Sequence, residues 1–204
     1  MTALIADSDL QRQVIAHRRA NGSDRWDEVW DGVYVLMPLP NDELQGLVNR
    51  FCTILDLVIG LPGLGLVRPG VNISNRDDDW TANYRCPDVV VFTNGTAAEN
   101  RETHWLGGPD FAIEVVSPDD QTWDKLPFYE SVGTRELLIV DREPWSLELY
   151  RLQDGRLQSV GTSTVAAPAE LASEIIPLSF RLQPSEPRPA IEIRHRDGQP
   201  VWTA

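Results

Sequence analysis

A carboxylate sits inside an apolar stretch of this sequence. Five of the six residues 111–116 are apolar, and the remaining one is Glu114. Such a run reads as a strand buried on both faces, where an ionised group is costly unless it is paired or holds a metal. A second carboxylate, Asp88, follows Pro87 and precedes the apolar run Val89, Val90, Val91 and Phe92. Proline cannot donate to a sheet ladder, so Pro87 marks a strand start and puts Asp88 at its mouth. A loop can make neighbours of these two strands. Two facing carboxylates suit a hard cation such as Mg²⁺, with water and a substrate phosphate filling the octahedron. The plainer alternatives are an Arg–Glu114 salt bridge and a turn role for Asp88.

The third chemical candidate is Lys125. The chain has 18 basic residues, and Lys125 is its one lysine. It lies eleven residues after Glu114, early in an expected helix, with Tyr129 one turn further on the same side. Tyr129 reads as packing of that helix against the sheet, and Lys125 has a plain reading as a solvated surface lysine.

The elements that must position these groups are legible by pattern. A helix is expected over residues 9–20, ending at Asn21 and Gly22. Residues 28–36 read as two strands about an Asp31–Gly32 turn. Asn41 and Asp42 can cap a helix from Glu43 to Ile59, whose apolar positions Leu47, Phe51, Ile54, Leu55 and Val58 recur at helical spacing. Strand-like runs follow at 65–68, 71–74 and 89–92, then a polar loop, the Glu114 strand, and a helix from Thr122 to Val132 ended by Gly133. Residues 137–141 and 147–152 read as strands, with a hairpin at Asp154–Gly155. The pattern implies α/β or α+β, a central sheet flanked by helices. Residues 1–183 form the expected domain, and the Pro-rich residues 184–204 an arm whose segment 191–196 alternates like an edge strand.

Composition sets limits. The net charge of −13 opposes extended contact with nucleic acid, because phosphate binding normally uses Lys and Arg to displace counterions. No apolar run is long enough to span a membrane, and the N-terminus lacks the form of a secretory signal, so a cytoplasmic location is expected. Cys52 and Cys86 are far apart and are expected to be free thiols.

Several pieces then fall in order: Glu28 to Met37; Pro87 and Asp88 with the valines after them; Gly107 to Pro118 around Glu114; Lys125, Tyr129 and Gly133; and Asp141 with the hairpin containing Tyr150. Together, over about residues 25–182, they resemble the Uma-two (Uma2) family of restriction-endonuclease-like proteins, within the PD-(D/E)XK nuclease superfamily. The resemblance implies a restriction-endonuclease-like fold and a metal-dependent endonuclease. Asp88 and Glu114 would hold Mg²⁺, for which Mn²⁺ can substitute, with the Val115 carbonyl as a further ligand. Lys125 takes the place of a lysine that has migrated to the helix after the second carboxylate. Glu28 corresponds to a family glutamate that adds a ligand; its other reading is an ordinary strand glutamate. The implied substrate is nucleic acid, DNA before RNA, and a homodimer is expected by analogy with enzymes that cut both strands.

Three features depart from the family pattern. Leu44 stands where the family carries His, Pro127 lies within the helix that should carry Lys125, and residues 184–204 fall outside. With the acidic charge, these favour an alternative from another class, a catalytically silent binding or assembly module. A nucleotide-phosphate loop at residues 61–70 is discounted, since its glycines are not spaced as a dinucleotide fingerprint or P-loop.

Overall fold

The computed structural model describes residues 8–117 and 121–204; Pro118, expected to end the Glu114 strand, lies outside them. A six-stranded sheet forms the centre. Its order across the sheet is Arg156–Thr164, Trp145–Gln153, Glu136–Arg142, Phe111–Val115, Val89–Thr93 and Gly65–Pro69. Phe111–Val115 and Glu136–Arg142 run parallel, and every other neighbouring pair is antiparallel. This is the mixed α+β sheet expected.

The strand period divides the sheet into two faces. Helix α1 spans Ser8–Asn21. Val89, Val91, Phe111, Ile113, Val115, Leu138 and Val140 pack on one side with Leu47, Phe51 and Ile54 of helix α2 (Asp42–Leu55). Val90, Phe92, Ala112, Leu137 and Ile139 pack on the other, against Phe128 and Tyr129. A small sheet containing Glu28–Trp30, Val33–Val35, Tyr84–Arg85 and Ile73–Ser74 also carries site residues.

Local chemistry explains the elements around the site. Asn41 caps α2, its side chain accepting from the Leu44 N–H at 2.9 Å. The α-helix stops at Leu55 and widens into a π-turn over Asp56–Gly60, so it does not continue to Ile59 as one α-helix. The Asp56 carboxylate fills the space where a Gly60 Cβ would lie, only 1.9 Å from its Oδ1. The expected helix after Glu114 is split by Pro127. Thr122–Lys125 is a 3₁₀ turn and Leu126–Ser131 (α3) a short α-helix with proline in its first turn, where the missing N–H costs least. Lys125 therefore stands at the junction. Both expected tight hairpins occur, with positive φ at Asp31 and Gly32 and at Asp154 and Gly155, as a type I′ turn demands.

The C-terminal segment corrects the reading of residues 184–204 as an arm. Ala190–His195 pairs with Leu178–Gln183 and with Val201–Thr203, and Ile191 and Ile193 are fully buried in the same core as Phe51 and Phe111. The prolines that argued for a tail flank this strand instead of interrupting it.

Among the described residues, Cys52 and Cys86 are free, and no helix is long and apolar enough to cross a membrane.

Candidate active site

Register brings the two carboxylates together. Val89 pairs with Ile113 and Val90 with Ala112 on antiparallel strands. One step outward on this ladder, Asp88 falls opposite Glu114, where facing Cβ atoms lie about 4.5–5.5 Å apart. Side-chain alternation puts both on the Val90–Ala112 face. The Asp88 Oδ2 accepts the Val115 N–H at 2.7 Å, which ties the mouth of one strand to the backbone of the other. At the opposite end, Asp110 accepts from the Thr93 N–H and hydroxyl, each at 2.8 Å, and fixes the same register.

Lys125 reaches this pair from the 3₁₀ turn. Its Nζ donates to Glu114 Oε1 and to Glu28 Oε1, both at 3.1 Å, with all three side chains buried. It is not a solvated surface lysine. Tyr129, read from sequence as packing, also carries its hydroxyl to Glu114 Oε1. The available signal was its position one turn beyond Lys125, which aims both at the same strand. Glu28 differs in kind: Oε1 accepts from Lys125 and the Cys86 N–H at 3.0 Å, and Oε2 accepts from the Trp30 indole at 2.7 Å. Sequence reasoning did not single out Arg85. Its guanidinium lies between the Trp30 and Phe128 rings and donates to the Val29 carbonyl at 2.9 Å, bracing the strand that carries Glu28. A buried Arg beside an apolar strand start is too common a pattern to mark it in advance.

The electrostatics are unbalanced. Burial pushes the Glu114 carboxyl up to about 8, opposed by Lys125 and reinforced by Asp88 and Glu28. Burial likewise raises Cys86 and Tyr129, with the surrounding carboxylates adding to both. Three carboxyl groups thus crowd the cations of Lys125 and Arg85, and a bound divalent cation would favour the ionised form of Glu114.

Asp88, Glu114, Val115, Ser117, Cys86 and Lys125 are part of the lining of a cavity of 430 Å³. Glu28 is not part of the lining. Among the described residues no cluster of three or more His, Cys, Asp or Glu side chains has metal-binding geometry. The donor set is therefore two carboxylates with backbone oxygen. That is a fit for Mg²⁺, which keeps several waters and takes one or two carboxylates plus substrate phosphate, and a poor one for zinc. Arg142 holds the neighbouring rim, donating to the Val116 carbonyl at 3.1 and 3.2 Å and to Glu43 of α2 at 2.9 Å.

The sequence pattern of the Uma2 family, described as "putative restriction endonuclease", matches residues 13–185. Among solved structures, the chain resembles one described as a "putative nuclease belonging to DUF820" from Anabaena variabilis ATCC 29413. The TM-score is 0.53 and the identity 18%, over 65% of this chain and 75% of that one. No curated protein matched.

Proposed function

The chain belongs to the Uma2 family of restriction-endonuclease-like proteins, and we propose that it is a metal-dependent phosphodiesterase acting on nucleic acid, with DNA preferred to RNA. The observation that carries this reading is the Asp88–Glu114 juxtaposition across two antiparallel strands, with the Lys125 ammonium on Glu114.

Asp88 and Glu114 would hold Mg²⁺, with the Val115 carbonyl as a backbone candidate. The ion would polarise the phosphoryl oxygen and acidify the attacking water. The chain's own groups do the rest. Tyr129 and Lys125 fix the orientation of Glu114 by bonding the same oxygen. Lys125 presents its ammonium where charge develops on the phosphate, and it can hand a proton to or take one from the water. Glu28 has donors on both oxygens, so we assign it to holding Lys125 in place instead of ligating the metal. The walls of the cavity limit solvent around these groups, which strengthens each interaction.

One feature favours the silent-module alternative. Lys125 already compensates Glu114 without a metal, as it would in a relative that had lost catalysis. The discriminating assay uses plasmid and single-stranded substrates with Mn²⁺ or Mg²⁺. The proposal expects cleavage by the wild type and none by Glu114→Ala. Cleavage by neither supports the silent module, and equal cleavage by both denotes a contaminant.

A further inference from the structure

Much of the cavity lining is not built for phosphate. It includes Trp26, Met37, Pro38, Leu44, Val48 and Pro69, with Gln45 polar among them, and Arg25 and Lys125 are the only basic side chains lining the cavity among the described residues. Trp26 is held in place by the backbone. Gly70, at φ +53°, has no side chain, and a Cβ there would lie 2.1 Å from the indole Cζ3, so the ring edge occupies that space. The exposed Arg25 guanidinium lies over the same ring, 5.2 Å from its centroid.

We propose that this apolar part of the lining is a subsite for one unpaired base, stacked on Trp26 beside the scissile phosphate, so that the substrate is a single strand or a frayed end and not an intact duplex. The inference rests on the nuclease reading and adds its substrate class. Three observations support it. Aromatic and apolar walls suit a base face, which any of the bases can present. The reactive groups are recessed: Glu114 is 3% and Lys125 1% exposed. A phosphodiester must enter the cavity to reach them, and a flexible single strand can bend into such a recess more readily than the stiff backbone of a duplex. Finally, a chain of net charge −13 with two basic side chains lining the cavity has little means of gripping two phosphate backbones. Arg25 lies over one face of the ring, so the stacked base takes the other.

The test is fluorescence anisotropy with a labelled ten-nucleotide DNA strand, an RNA of the same sequence, and the corresponding DNA duplex, without divalent metal. We expect a single strand to bind at least tenfold more tightly than duplex. Trp26→Ala should weaken single-strand binding by about five- to a hundredfold, the range carried by one stacked base, while Trp26→Phe retains most of it. RNA binding with the same Trp26 dependence also supports the subsite. In case Trp26→Ala does not fold, a strand carrying 4-thiothymidine, photocrosslinked to the wild type, should map to Trp26. Equal binding of strand and duplex, no strand binding, indifference to Trp26→Ala, or crosslinks elsewhere would overturn the proposal. Failure of the nuclease reading looks different: Trp26-dependent binding persists, but Mn²⁺ induces no cleavage of any substrate.

Discussion

Removing the Lys125 ammonium leaves Glu28 and Glu114 in a buried space without the cation they share, and loss of one partner of a buried pair costs about 3–5 kcal/mol. Lys125→Ala should therefore destabilise the metal-free protein by that amount in urea unfolding, and Mg²⁺ should recover part of it by binding the folded form. Lys125→Arg separates charge from proton transfer. A guanidinium keeps the charge but is larger, planar and effectively never deprotonated. If the lysine handles the water, Lys125→Arg loses about 2–4 kcal/mol of transition-state stabilisation, as Lys125→Ala does, while calorimetry still detects bound metal in both. Near-normal kcat in Lys125→Arg would reduce the role to phosphate attraction. Glu114 gives a pH prediction. Its carboxyl is raised to about 8 in the folded protein, so the folded state binds the proton more tightly than the unfolded one. The resulting stability is fully present below the unfolded carboxylate range, about 4.3, and is lost as pH rises through about 8. The Tm of the metal-free wild type should fall over that window relative to Glu114→Gln; parallel curves would refute the shift.

At the scale of elements, what the sequence reveals depends on how local its cause is. The Asp31–Gly32 and Asp154–Gly155 hairpins were readable because two adjacent residues supply the positive φ that the turn needs. The shared face of Asp88 and Glu114 was not derivable from either strand alone, because it depends on a register between segments 26 residues apart. Tyr129 was placed on the correct helix side but assigned only a packing role, since a buried hydroxyl declares its function through its partner. The segment after Pro184 was misjudged for a related reason: proline density is visible in sequence, whereas the burial of Ile191 and Ile193 depends on strand Leu178–Gln183 and α2 beyond it. Each isoleucine contributes about 1.5–3 kcal/mol by burial, set against a whole-domain stability of about 5–15 kcal/mol. Truncation after Gln183 should accordingly abolish a cooperative melt or lower it sharply. A truncated protein melting like the full chain would show that these strands are dispensable.

For the whole molecule, charge and site point the same way. A protein of net charge −13 whose site offers Arg25 and Lys125 makes few phosphate contacts. For two contacts on a single strand the slope of log K against log salt should be about −1.4. A slope several times steeper would require a basic surface elsewhere. The central claim is that Asp88 and Glu114 jointly hold a divalent ion, and anomalous diffraction from crystals soaked in Mn²⁺ tests it most directly. The account predicts one strong peak between the two carboxylates, within coordination distance of both, with Lys125 still bonded to Glu28. No peak there at saturating Mn²⁺, with Lys125 alone compensating Glu114, would contradict it.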